Sequence, residues 1–236
     1  MAKVNTTLIK YSGKVDEVVH YTRFGRSYSR RVPKEYNDRR SEAQLEQRAL
    51  FTARQKAASL MGIMLQRGLT KEAHAKGMTE ANYFSRLNKD CFVYEEGRVR
   101  VDYERLVVAK GPLPVVVVMG CKVKKGLVEV SLWPNLEDSR AKGNDVVHIY
   151  AVGPKVGVCE LVASTERRTT MVSFELPVDG VETKGRKVFY LYAIVEAAST
   201  ARINTLSTAE KVVEWRHRNI DRRVSHSVYV GCVTVR

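Results

Sequence analysis

The residues best equipped for chemistry lie between Tyr21 and Arg40, in YTRFGRSYSRRVPKEYNDRR. Seven Lys or Arg stand there against one Glu and one Asp, with Tyr21, Phe24, Tyr28 and Tyr36 among them. Guanidinium groups fork onto carboxylates or phosphates, and tyrosine rings stack on unpaired bases or pack on apolar surface. Arg23, Arg26, Arg30, Arg31, Arg39 and Arg40 are therefore candidate contact cations, with Tyr21 and Tyr28 as a stacking pair. Trp215, Arg216, Arg218, Arg222 and Arg223 repeat the combination farther along the chain. Both clusters describe the gripping of a charged macromolecular surface.

Groups that would transform a small molecule do not converge in the sequence. There is no phosphate-binding G-x-x-x-x-G-K-[ST] or G-x-G-x-x-G, and VKKGLVEV is a lysine–glycine turn between strands. H-E-x-x-H and G-x-S-x-G are absent. The histidines, His20, His74, His148, His217 and His226, fall on separate elements without metal-ligand spacing. Cys91, Cys121, Cys159 and Cys232 form no C-x-x-C pair and read as buried thiols packing as small hydrophobes. Adjacent carboxylates such as Glu95-Glu96 and Asp16-Glu17 point to opposite faces of a strand and cannot share a substrate. The expectation is a non-enzymatic protein with no catalytic, metal-binding or cofactor-binding residue and no cofactor.

The elements that would carry the first cluster follow from periodicity. Val15, Val18, Val19 and Tyr21 read as a strand, and RSYSRRV as a second one that Pro33 ends. With Phe24-Gly25 as the loop, the register sets Tyr21 opposite Tyr28 and Arg23 opposite Arg26. Ser41 and Gln44 form a capping box, after which Leu45, Ala49, Ala53, Ala57, Leu60 and Met64 predict one amphipathic helix to Arg67. A second helix, about Thr79 to Lys89, offers Tyr83, Phe84, Leu87 and Cys91 on one side, and the two helices should pack together.

From Tyr94 the chain reads as strands jointed by Gly or Pro: RVRVDYERLVVAKGPL, VVVVMGCKV, LVEVSLWP, DVVHIYAVGP, VCELVAST, TTMVSFELP and KVFYLYAIVEA, with HSVYVGCVTV last. This spacing, with Trp133 on an early strand, predicts a β-sandwich of immunoglobulin or fibronectin type III kind. STAE at Ser207 to Glu210 predicts a short helix inserted before the last strand. The fold class is therefore α+β. Two domains are expected: a basic hairpin-plus-helices anchoring region at 1–93, and a sandwich at 94–236 with an insertion at about 197–223.

A formal net charge of +14 draws phosphates, anionic membranes or acidic protein surfaces without separating them. MAKVNTTLIKYSGK has no apolar h-region, and the run from Leu113 to Met119 falls far short of a membrane span. No membrane partner is expected.

Several stretches carry a resemblance. SGKVDEVVHY, a turn glycine before SYSRRVPK, RRSEAQLEQRALF, VDYERLVVAKGPLP and SHSVYVG resemble the signposts of an uncharacterised family of bacterial and phage proteins, known only as a domain of unknown function. The match spans most of the chain through short motifs. It implies a basic hairpin and helix before a β-sandwich, an association with mobile elements, and relatives in virions of crAss-like gut phages. It implies no catalytic residues. Phe24-Gly25 replaces the family's Asn-Gly turn, and the segment from Ala197 to Arg223 is longer than usual.

Together these readings give the expectation of a structural protein of a phage virion, assembled in the host cytoplasm, as a head auxiliary or a neck or tail ring component. Its partners would be other virion subunits, including copies of itself, held by the arm. The alternative is a sequence-independent nucleic-acid-binding protein packaged with the genome, in which the same cations meet DNA.

Overall fold

A computed structural model describes residues 2–3, 13–23, 26–35, 38, 40–124, 127–177, 186–199 and 223–235. The chain forms two compact units, Met1–Leu45 and Glu46–Arg236. The helices that the sequence placed with the arm thus belong mostly to the unit of the long strands.

The first unit is a small antiparallel sheet of β1 (Ala2–Lys3), β2 (Gly13–Val15), β3 (Val18–Arg23) and β4 (Arg26–Arg31), in the order β1-β4-β3-β2. The apolar run from Val15 to Tyr21 is not one strand. It doubles back at Asp16-Glu17, where Asp16 takes a left-handed φ of 50° that a short polar residue tolerates, and Val15 then pairs with Val18. The expected hairpin register holds, with Tyr21 opposite Tyr28 and Arg23 opposite Arg26.

Helix α1 (Glu42–Leu60) begins after Ser41, whose hydroxyl accepts the Gln44 N–H at 3.4 Å. The single helix expected to Arg67 is broken at Met61, at φ −87° and ψ 13°, and resumes as α2 (Gly62–Ala75). Gly62, with its poor helix propensity, follows the break. The expected stripe holds in part: Ala57 and Met64 are buried and Ala53 and Leu60 pack against the core, but Leu45 is exposed and Leu50, Met61, Leu65 and Leu69 supply the rest of the buried face. Helix α3 (Glu80–Leu87), capped by Thr79 Oγ1 on the Asn82 N–H, buries Tyr83 and Phe84 against this stripe.

After a 3-10 turn come β5 (Phe92–Glu95) and β6 (Arg98–Val101), paired as a hairpin. The stretch read as one long strand, 98–113, is strand only to Val101. From there it runs irregularly, burying Leu106, Val108 and Ala109. Buried backbone must find partners, and here they come from side chains and other segments. Asn88, fully buried, accepts the Val107 N–H at 2.7 Å and donates to the Val107 carbonyl at 2.9 Å. Ser227 Oγ accepts the Val108 N–H, and the Gly68 carbonyl accepts the Lys110 N–H.

Seven long strands follow: β7 (Val117–Lys124), β8 (Leu127–Trp133), β9 (Val146–Gly153), β10 (Val158–Glu166), β11 (Met171–Glu175), β12 (Lys187–Glu196) and β13 (Val228–Val235). They form two antiparallel sheets, β11-β8-β7 and β10-β9-β12-β13. Strand alternation splits the core in two. Val147, Ile149 and Ala151 of β9 and Leu191, Ala193 and Val195 of β12 meet Val128, Val130 and Leu132 of β8. Tyr150, Val152, Tyr192 and Ile194 face the other way, into the cluster that holds α1, α2 and α3. The layers are helices, four-stranded sheet, three-stranded sheet. Trp133, which on an early strand signalled the sandwich in the sequence, is turned outward by β8, 49% exposed.

Arg167, wholly buried, clamps the loops at one end of these layers. Its guanidinium donates to the carbonyls of Pro134 at 2.7 Å, Pro114 at 3.0 Å and Val115 at 3.2 Å, beside Asp145. At the same end Ala197 N–H reaches the Arg223 carbonyl at 2.9 Å and Ser225 N–H the Val195 carbonyl at 2.8 Å. Chain leaving β12 and chain returning to β13 are thereby zipped together. The helix expected at about 208–219 lies outside the described residues.

Candidate functional site

Cross-strand partners share a face, so the arm's register sorts its side chains. Lys14, Val19 and Arg30 form one row across β2, β3 and β4. Tyr21 and Tyr28 form the next, and Arg26 stands in the row beyond, opposite Arg23. Rows on one face lie about 6.8 Å apart, two residues at about 3.4 Å each. The tyrosine rings stack at 5.5 Å between centroids and 19° between planes. One face of the arm is thus an aromatic pair with cations on both sides. Arg26 and Arg30 are exposed, and neither has a carboxylate partner among the described residues.

The other predicted cations do not join them. Arg31 falls on the opposite face and is tied to Glu17, with Nε donating to Oε2 at 2.9 Å, while Lys34 Nζ approaches the same carboxylate at 3.5 Å. Arg40 lies 3.6 Å from Asp38. Arg31 shares its face with Val18, His20 and Ser29, and His20 Nδ1 lies 2.7 Å from Ser29 Oγ. The side chain of Arg23, and Arg39, Trp215, Arg216, Arg218 and Arg222, lie outside the described parts. Arg223 is described, exposed, and lines a cavity in the second unit. Sequence reasoning passed over Lys14, because its place on the tyrosine face follows from the turn at Asp16-Glu17 that periodicity read through.

None of the described arm residues is buried. The arm's described residues form no apolar core of their own, whereas a few strands are stable in water only with a hydrophobic face or something packed against them.

Within the second unit, one polar cluster has the membership of a catalytic triad. His148 Nδ1 lies 2.8 Å from the hydroxyl of exposed Ser164, its strand partner, and His148 Nε2 lies 3.2 Å from the buried carboxylate of Glu196. Arg67 of α2 decides what the cluster does. Its Nη1 is 2.6 Å from His148 Nε2 and 2.9 Å from Glu196 Oε2. A guanidinium N–H can only donate, so a neutral imidazole accepts at Nε2 and carries its proton on Nδ1, facing Ser164. This tautomer leaves the hydroxyl without a base, and the cluster works as a tie between α2 and the sheet.

The thiols are likewise unsuited to attack. Only Cys91 is buried as expected, Cys121 and Cys159 being half-buried and Cys232 exposed; partial desolvation still pushes all four up, Cys159 to about 12, so none is thiolate near neutral pH. Among the described residues no group of three or more His, Cys, Asp or Glu could hold a metal ion, and no helix is long and apolar enough to cross a membrane.

No family model matches the chain, and no curated protein or solved structure matches it either.

Proposed function

We propose that this is a non-enzymatic structural protein that docks on neighbouring subunits through its N-terminal arm. The observation that carries the reading is the contrast between the units. One has two well-filled cores, while the other fully buries none of its described residues and sets Lys14, Arg26 and Arg30 around the Tyr21–Tyr28 pair. A sheet built this way gains its stability from what it is laid against, and its unpaired guanidinium groups suit a surface bearing carboxylates. The setting is that of the sequence resemblance, a phage virion in which the protein serves as head auxiliary or as neck or tail ring component, with copies of itself among its neighbours.

The body suits a spacer. Numbered along the chain, its seven long strands lie in the orders 5-2-1 and 4-3-6-7. That arrangement supports a fibronectin type III-like sandwich, to which the helices add a third layer.

The test is particle assembly from the native gene cluster. The Arg26→Ala/Tyr28→Ala/Arg30→Ala variant should stay in the supernatant when particles are sedimented, with its melting temperature unchanged. Incorporation at the wild-type level would remove the arm as the docking element.

A second reading is favoured by the stack itself, since an aromatic pair flanked by cations is also a platform for single-stranded nucleic acid. It makes a separable demand. Oligonucleotide affinity would then fall with salt at a log–log slope of about −2, from three phosphate contacts at about 0.7 each, and the triple variant would flatten that slope.

A further inference from the structure

The segment 139–145 before β9, the end of β12 and the re-entry of the chain at Arg223 enclose a cavity of about 590 Å³. Arg140, Lys142 and Arg223 line it, with Ser139, Asn144 and Ser199 between them. The carboxylates at hand are already engaged. Asp145 accepts the Lys142 N–H at 2.9 Å and the Ala198 N–H at 3.3 Å, with the buried Arg167 guanidinium 3.6 Å away. Asp138 is gripped by Arg140 through Nε at 3.0 Å and Nη2 at 2.7 Å, which holds its carboxyl down at about 2. Arg140 also donates to the Pro112 carbonyl at 3.1 Å, so its guanidinium is fixed in place.

Lys142 and Arg223 have no carboxylate partner among the described residues, and both stand at one recess. Two cations with no counter-charge among the described residues, set in a concave site, raise the local concentration of anions, most of all dianions. The hydroxyls and the amide on the wall add neutral donors. The volume lies within the range of about 300–1,000 Å³ typical of small-molecule sites, well beyond what one oxyanion fills.

We propose that this cavity binds a small molecule carrying a phosphate monoester, with Lys142 and Arg223 holding the phosphate oxygens and Arg140 fixed beside them. The site is separate from the arm and stands or falls apart from the docking role. Calorimetric titration of the full-length protein at low ionic strength tests it, with AMP and ribose 5-phosphate as probes and adenosine, ribose and inorganic phosphate as comparators.

At least one phosphorylated probe should bind saturably at one site, more tightly than inorganic phosphate, while adenosine and ribose stay silent. Lys142→Ala/Arg223→Ala should weaken binding about tenfold or more, since each lost contact is a charge-assisted hydrogen bond. Both side chains are exposed, so the variant should keep its melting temperature. The variant Lys122→Ala/Lys155→Ala, which removes the same charge elsewhere, should bind like wild type. No saturable binding of either probe, equal affinity in the first variant, equal loss in the second, or inorganic phosphate binding as tightly as both probes would each overturn the proposal.

Discussion

Replacing Arg167 with methionine would strip the carbonyls of Pro114, Val115 and Pro134 of their donor and leave Asp145 facing buried surroundings without its cation. Removing one partner from a buried charged pair costs about 3–5 kcal/mol, because the other charge stays desolvated. Arg167→Met should therefore lower the urea midpoint strongly with an unchanged slope, and a midpoint within error of wild type would contradict the clamp. By contrast, Arg168 is exposed beside Glu166, and its removal should be nearly neutral. Nothing in ERRT tells these neighbours apart in sequence, since burial of a charge depends on which distant carbonyls meet it. Asn88 was hidden for the same reason, whereas the tyrosine pair was legible because hairpin register is a local property.

At the scale of elements, Gly68 shows how a local rule is overridden. An alanine there would raise helix propensity by about 1 kcal/mol, yet its Cβ would fall 2.5 Å from both the Val108 carbonyl oxygen and Ala109 Cβ. Gly68→Ala should thus be net destabilising by about 1–3 kcal/mol, the usual scale of overpacking, and a stabilised protein would refute this close approach. The expected stop near Arg67 was a contact glycine inside α2, and no periodicity distinguishes the two. The body strands were found because Gly and Pro punctuate them. The stretch from Asp102 to Val116 was misread because its apolar residues are buried as irregular chain, with side chains doing the work of a ladder.

Strand edges differ between the two units in a way that bears on docking. The pairings of β7, β10 and β13 each carry a register shift, at Val118/Gly120, Leu161/Ala163 and Leu191/Tyr192. Shifts of this kind disrupt an edge and discourage pairing with another chain, and the other described body edges are short, five residues in β11 and four each in β5 and β6. In the arm, β2 pairs with β3 and β3 with β4 without a shift. The arm's edge strands, β1 and β2, are only two and three residues long, so its docking is carried by the side chains of its tyrosine face rather than by strand addition.

For the whole molecule, stability and attachment are assigned to different parts. Among the described residues burial begins at Leu50, so deleting residues 1–40 removes none of the described core while keeping Ser41 as the cap of α1. Calorimetry should show the shortened protein melting at the temperature of the full chain, and on the docking proposal it should be lost from sedimented particles. A fall of several degrees would mean that the body draws stability from the arm. The general division into basic arm and stranded body was visible from charge and period. Its boundary was not, because α1, α2 and α3 cover the outer face of the four-stranded sheet, and only the tyrosines of β9 and β12 signalled that this face was covered.

The zipped ends at Ala197 and Arg223 have a consequence for how such a chain can change over time. Because those two backbone groups already meet at 2.9 Å, the chain leaves and returns at a junction the body itself maintains. Doubling a loop's length costs only about 0.6 kcal/mol when its ends are held in this way. The junction is a permissive splice point, where inherited segments of different length and chemistry could be exchanged, or an epitope grafted, without asking the rest of the polypeptide to refold around them.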